Sequence, residues 1–493
     1  GVQSPDTGNT TITFNPAGLP VVKTDARGKT TTHVYDELNR LMYLIYNDGQ
    51  GVYKAFDIGE NGVGKLVQVS DPSGSTTYAY DAYGRVTGKS TNVGGINKSV
   101  YYGRDNKGRI TAITYPSGNV VGMSYSQGRV TNITLNGAPL ISAIQYFPFG
   151  GPESWLLGAD AAGTKDYTRW IDENQRIEKY STPLGYRGLT FDDGGRITSI
   201  KNYQGLQNPV LLGTQTFGYD NAGRLTSFSG FTSNGNAQLE INQTQSFTYD
   251  SNGNRTASTL NGVASTYAYQ PGNNRLVSVT GGISKTNTFD LAGNLTADGS
   301  ATFNYDARGR MFRAIVSGFA TNYLVNFQNL RVRKNNLNEV KYFLYDDGGH
   351  MLGEYDASSS IVQEIVWLGD VPVAVVGTMP CLVGSSCTES AVAYIWADHL
   401  NTPRELTRVN ASNQHVSIWK WDSLPFGETK ANQNPSNLGV MNFNHRFPGQ
   451  YRDSETGLYQ NWHREYDPNL GRYVESDPLG LRAGLGTYTY SSN

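Results

Sequence analysis

Apolar and polar residues alternate with a period of two along most of the chain. The segments STTYAY (75–80), TQTFGY (214–219), QSFTY (245–249) and ATFNY (301–305) show this, as do RVTGKST (85–91), RITSIKN (196–202) and RLTSFSG (224–230). Such alternation gives a strand one apolar and one polar face, so the pattern predicts many short β-strands. No long segment carries the i, i+3, i+4, i+7 stripe of an amphipathic helix. Between the alternating segments a signature recurs: an aromatic residue, Asp, two or three variable residues, Gly or Asn, Arg, then an apolar residue. It reads YDELNRL at Tyr35, YDAYGRV at Tyr80, RDNKGRI at Arg104, FDDGGRI at Phe191 and YDNAGRL at Tyr219. YDSNGNR at Tyr249, FDLAGNL at Phe289, YDARGRM at Tyr305 and YDDGGHM at Tyr345 continue it, and worn copies begin at Phe56, Tyr125, Trp170 and Tyr269. Most steps are about 20 to 24 residues, the length of one hairpin and its connection, and the interval from 126 to 172 is about two steps. The Asp suits an Asx turn and the Gly or Asn suits a positive φ. The Arg is placed to pair with its own Asp or a neighbour's, and the aromatic ring to pack on the adjacent hairpin. A lone hairpin is marginal in water, so these must pair edge to edge into one extended sheet.

Composition narrows the function classes. Glycine (57) and tyrosine (32) are abundant, and charged residues make up 17% of the 493, against roughly 25% in an average soluble domain. A net charge of -2 without runs of Lys or Arg argues against a nucleic-acid partner. No stretch has the roughly 18–20 apolar residues of a membrane-spanning helix. The most apolar run, IVWLGDVPVAVV (365–376), is broken by Asp370 and Pro372. The N-terminal GVQSPDTGNTT has neither an export pattern nor a natural start, as expected of a fragment or processed chain. Cys381 and Cys387 either close a small disulfide loop or remain two thiols in an exposed insertion. No nearby Cys or His completes a zinc site, and no metal or cofactor is expected.

Several motifs resolve as structural. GENGVGKL (59–66) approaches a phosphate-binding loop but has Leu66 where a hydroxyl is needed, and it precedes a strand rather than a helix. His33, His350, His399, His415, His445 and His463 are scattered, and a turn or packing role is expected for His399. Trp396, Trp419, Trp421 and Trp462 are expected to pack in a C-terminal core rather than stack on sugars.

The repeated signature resembles that of the YD-repeat, or Rhs, proteins. The C-terminal third strengthens the likeness. YIWADHLNTPRELTRVNASNQHVSIWKWDSLPFGE (394–428) is similar to that family's DHLxTPR segment, and FNHRFPGQYRDSETGLYQNWHREYDPNLGRYVESDPLGLRAGLGTYTYSSN (443–493) to its Rhs-associated core. The resemblance implies an all-β fold in which hairpins coil into a large curved sheet, a hollow shell or cocoon, with the core at its end. The implied division is a shell over 1–375, its end with the Cys loop and DHLxTPR element over 376–440, and the core over 441–493. It implies a protein secreted by bacteria that encloses a toxin polypeptide following the core. A second shell chain or a secretion component is the other implied partner. Against it stands a non-enzymatic surface or adhesion protein of the same repeat type, binding glycan or protein.

Relatives of this type cut themselves after a DPxGL motif, here residues 477–481, which implies scission of Leu481–Arg482. The implied catalytic residues are Asp477 and Asp453, with Glu455 close to the latter. Arg446 is the assisting arginine, with Arg452 behind it. Two carboxylates held together cannot both ionise cheaply, so one keeps a proton and serves as acid while the other activates water.

Overall fold

The computed structural model describes residues 1–158, 165–232, 242–383 and 387–490. Its antiparallel strands pair with their neighbours in sequence, so the chain runs as one long meander. The strands from Val2–Ser4 to Lys285–Thr286 form a 26-stranded sheet, and those from Thr288–Phe289 to His415–Lys420 a 13-stranded sheet. Four short strands, Gln450–Arg452, Tyr459–Asn461, Arg464–Asp467 and Arg472–Tyr473, make a third. The large sheets part at Asn287, whose side-chain amide donates to the Leu276 carbonyl.

The repeated signature builds the turns. Asp220 Oδ1 accepts the N–H groups of Ala222 and Arg224, both at 2.9 Å, and Arg224 Nε donates to Asp220 Oδ2 at 2.7 Å. One carboxylate thereby satisfies two backbone donors and one guanidinium. Gly223 closes the turn with φ +82°, and Asn39 and Gln175 hold the equivalent position elsewhere at +61° and +62°. An ordinary L-residue is destabilised there by about 1–2 kcal/mol, Asn less. Gly223→Val is therefore expected to weaken this hairpin by about that amount while Gly223→Asn leaves it nearly unchanged. Amide exchange across Val210–Tyr219 and Leu225–Thr232 reads the difference.

The same arginines stitch each hairpin to the next. Arg196 lies 5.2 Å from the Tyr219 ring centre and donates to the Asp220 carbonyl at 3.1 Å. The Tyr219 hydroxyl returns a bond to the Ile197 carbonyl at 2.8 Å. Arg224 repeats this with the Tyr249 ring (5.0 Å) and the Asp250 carbonyl (2.7 Å), and the Tyr249 hydroxyl donates to the Leu225 carbonyl (2.7 Å). The arginine thus pairs with its own aspartate and with the neighbour's backbone and ring. Strand register also shifts at the aromatic residue of successive copies, at Val34/Tyr35, Ala79/Tyr80, Gly218/Tyr219 and Thr248/Tyr249 among others. A bulge bends its strand and raises the local twist, so regularly placed bulges curve the sheet. The long interval in the signature holds a disguised copy. Phe147 N–H donates to the Gly151 carbonyl and Gly150 N–H to that of Phe147, with Arg129 4.9 Å from the Tyr146 ring centre. Phe147 stands there in place of Asp.

The largest apolar cluster lies between the large sheets. Val100, Tyr115, Ile133, Trp155 and Tyr167 from the first pack with Tyr355, Ile365, Val373, Trp396 and Trp419 from the second. Polar contacts cross the same interface: the Tyr115 hydroxyl donates to the Ile365 carbonyl at 2.9 Å, and Ser117 Oγ donates to Glu364 at 2.7 Å. The apolar run at 365–376 accordingly forms parts of two buried strands, Ile361–Leu368 and Val371–Pro380. Cys381 and Cys387 are joined by a disulfide.

Candidate functional site

The short C-terminal sheet lies against the second large sheet, and charged residues fill the contact. Asp453 begins the turn after Gln450–Arg452: its N–H donates to the Leu458 carbonyl and its own carbonyl accepts from Gly457. The side chain is 1% exposed and meets Arg331 at 2.5 Å and Lys334 at 3.5 Å. The other arm of the Arg331 guanidinium reaches Glu465 at 2.8 Å. Lys334 also holds Glu455 at 2.9 Å, and Glu455 accepts from the Tyr323 hydroxyl at 3.0 Å. Glu475 joins from the far side, accepting the Glu465 backbone N–H at 2.8 Å.

Burial sets the protonation in this cluster. It raises Glu465 to about 7, against the pull of Arg331, and raises Glu475 to about 8 with help from the neighbouring Glu465 charge. Burial works against the charge of Arg331, but Asp453 and Glu465 overcome it and hold the guanidinium firmly protonated. The arrangement provides an acid that keeps its proton near neutrality beside Asp453, the combination used in acid–base chemistry.

The residues expected from the sequence occupy three places. Asp453 is in the cluster. Asp477 pairs with Arg464 at 2.9 Å, and Arg464 lies 3.6 Å from the Tyr473 ring centre. Arg464 and Glu465 are adjacent on one strand and so project to opposite faces. Asp477 and Asp453 therefore stand in separate ion pairs. Asp477 Oδ1 accepts the Leu479 N–H at 2.8 Å and its backbone N–H donates to the Thr487 carbonyl at 2.8 Å, fixing the DPLGL turn. Leu481 and Arg482 follow in a 3-10 turn, Gly480–Ala483, with Leu481 46% exposed. Arg446 is buried among Trp421, Trp419 and Tyr459, its guanidinium carbon 5.0, 5.6 and 5.9 Å from their ring centres. The cations on Asp453 are Arg331 and Lys334, which the sequence reading did not single out. Neither were Glu465 and Glu475. Their separation of more than a hundred residues from Arg331 leaves no local signal, although a charged residue on an alternating strand, as in REYD (464–467), is a clue.

Of the aromatic residues, Trp396, Trp419 and Trp421 are buried in the core. Trp462 departs from that expectation: it is 40% exposed, with φ +55°. His399 packs against Tyr180 beside the buried Asp398–Arg404 ion pair. Among the described residues, no group of three His, Cys, Asp or Glu side chains is placed to hold a metal, and no helix is long and apolar enough to cross a membrane.

A meander of hairpins joined by arginine–tyrosine stitches and ending in a small charged sheet defines a YD-type repeat architecture. The chain belongs to the Teneurin YD-shell family, which it matches over residues 164–481, and it matches the RHS repeat over 61–96. Toxin protein Tse5 of Pseudomonas aeruginosa is 29% identical over 205 residues, 40% of this chain and 15% of that protein. The probable deoxyribonuclease RhsA of Dickeya dadantii is 53% identical over 47 residues, 10% of this chain and 3% of that one. The crystal structure of TcdB2-TccC3 aligns with 100% of this chain and 28% of its own at a TM-score of 0.78 and 17% identity, which shows a common fold. The chain thus spans only a fraction of these relatives' lengths. The all-β YD-repeat architecture expected from the sequence is borne out.

Proposed function

We propose that the chain is part of the wall of a secreted bacterial shell enclosing a toxin polypeptide, and that its C-terminal core frees the segment after Leu481 by self-cleavage. The wall reading rests on family membership and on similarity to a toxin protein over 205 residues. In this reading the wall, its end and the core follow the division 1–375, 376–440 and 441–493. The observation that carries the cleavage reading is the placement of Asp453 and Glu465 on one buried guanidinium, with Glu465 holding a proton near neutrality. The carboxylate of Asp453 takes a proton from water as the oxygen attacks the Leu481 carbonyl. Glu465 hydrogen-bonds the carbonyl oxygen and then protonates the leaving Arg482 nitrogen, so that one peptide bond is exchanged for an acid and an amine. Asp477 holds the DPLGL turn that presents the bond, and Arg446 shapes the neighbouring core. Because the 480–483 turn lies at the surface, it must dock on the acids for the cut.

Intact mass of freshly expressed chain carrying a C-terminal extension tests this. Wild type is expected to separate between Leu481 and Arg482. Asp453→Asn should stay whole, and Asp477→Asn should be slowed or whole. If wild type stays intact, or if Asp453→Asn cuts at the wild-type rate, the cleavage reading is wrong while the wall reading remains.

A further inference from the structure

The chain beyond the DPLGL turn is exposed at first and then buried. Leu479, Leu481 and Leu485 are exposed, whereas Thr487 and Tyr488 are buried. Among the described residues, the hydrogen bonds that cross the Leu481–Arg482 link are those of the turn itself: Arg482 N–H donates to the Leu479 carbonyl and Gly484 N–H to the Leu481 carbonyl. Residues 485–490 are instead bound to distant parts of the molecule. The Asn274 side-chain amide donates to the Leu485 carbonyl at 2.9 Å. The Thr487 carbonyl accepts from the Asp477 N–H at 2.8 Å and from Arg464 at 3.1 Å. Tyr473 N–H donates to the Tyr488 carbonyl at 2.9 Å, and the Tyr488 hydroxyl donates to the Gly293 carbonyl at 2.8 Å. The Tyr490 ring lies 4.7 and 5.7 Å from those of Tyr466 and Tyr473.

Thr487 also reaches the first hairpin. Asp6 lies in the turn between Val2–Ser4 and Gly8–Phe14, and it and Thr487 are each 1% exposed. Asp6 Oδ2 accepts from the Thr487 hydroxyl at 2.7 Å and from the Asn274 side-chain amide at 2.8 Å, and Oδ1 accepts from the Asn274 backbone N–H at 2.7 Å. A buried carboxylate needs such donors, and bonds to an ionised acceptor are roughly twice as strong as neutral ones. Arg275 holds the turn from outside, donating to the Asp6 carbonyl at 2.7 and 3.1 Å. Gly293 permits the close approach: at φ +84°, an added Cβ would come within 2.4 Å of the Asp6 carbonyl oxygen and 2.8 Å of the Tyr488 hydroxyl.

From these contacts we infer that residues 4–8 are the latch of a docking surface for residues 485–490, so that the segment after Leu481 stays bound when that peptide bond is cut and leaves when Asp6 lets go of Thr487. The surface fits a short peptide in which a hydroxyl residue precedes a tyrosine: Asp6 receives the hydroxyl, and Gly293 and Tyr473 receive the tyrosine. Scission and departure are then separate steps. Asp6 and Thr487 are 481 residues apart in sequence, so lifting the first hairpin acts directly on the severed segment. The role of the latch rests on the proposed cut, whereas its contacts do not.

The whole chain with a site-specific protease sequence inserted between Arg482 and Ala483 tests this, because the protease cuts whether or not the chain cuts itself. The severed segment is followed by intact mass across gel-filtration fractions. It is expected to travel with the body of the chain, and Asp6→Ala and Thr487→Val should each shorten its residence at least tenfold. The double variant should lose the segment no faster than Asp6→Ala, since both changes remove the same bond. Immediate loss of the segment from the otherwise unaltered chain overturns the latch, as does wild-type residence in both single variants. Thr487→Val lies on the segment itself and keeps its shape, so the test stands even if Asp6→Ala unfolds the first hairpin. A chain that never cuts itself leaves a positive result intact, and loss of the segment leaves the cleavage reading intact.

Discussion

Arg331→Met is expected to destabilise the junction between the second sheet and the C-terminal core by about 3–5 kcal/mol, the size typical of removing one partner from a buried ion pair. Arg331 is 2% exposed and pairs with two buried acids, the Asp453 carboxylate and Glu465, which burial raises to about 7. Met replaces the apolar stem of the side chain, so the loss is chiefly electrostatic. Lys334 would remain near Asp453, but it already serves Glu339 and Glu455. In a molecule of this size unfolding need not be a single step, so the effect should be read locally. Amide exchange in Tyr459–Asn461 and Arg464–Asp467 should accelerate well before the repeats respond. Adding Asp453→Asn and Glu465→Gln removes the orphaned charges and should recover much of the loss. Wild-type protection in Arg331→Met would mean that the guanidinium does not organise this junction.

Stability of the same junction should fall as pH rises from about 5 to about 9. The sign follows from Glu465 and Glu475, whose folded-state values of about 7 and about 8 lie above the ordinary glutamate value of about 4.3. Between those limits the folded state holds protons that the unfolded chain has released, so each rise in pH favours unfolding. The contribution is fully present below about pH 4 and is lost once pH exceeds the folded values. Asp422 acts in the opposite direction. Burial opposes its ionisation, yet Arg187 and Lys420 lower it to about 2, so its contribution is lost only in strong acid. Denaturation midpoints measured from pH 5 to 9 should therefore decline, and Glu475→Gln should flatten the decline by removing one of the two coupled carboxyls. An unchanged slope in that variant would place the proton elsewhere.

These effects arise from contacts of a kind that a sequence conceals. The repeats were legible because each turn is local: Asp220, Gly223 and Arg224 make their bonds within five residues. Even there, the copy at Phe147 was hidden because its turn closes through backbone bonds without the aspartate. Asp453 and Asp477 were legible as members of motifs. Their partners were not, since Arg331 reaches Asp453 across 122 residues and Glu465 across 134. Only folding two distant hairpins together reveals which carboxylate shares a cation with which. Trp462 misled for a related reason: a tryptophan among core-like neighbours is normally buried, but two glycines in other segments leave its ring a place at the surface.

The arginine–tyrosine stitch has a consequence for how such a wall can change over generations. Along the meander, guanidiniums such as those of Arg196 and Arg224 hold only the following hairpin, while contacts such as the Tyr115 hydroxyl on the Ile365 carbonyl tie the two large sheets together. Duplication or deletion of a whole unit then remakes two stitches along the meander and resets which hairpins face the other large sheet. The meander can thereby lengthen or shorten in steps of one hairpin.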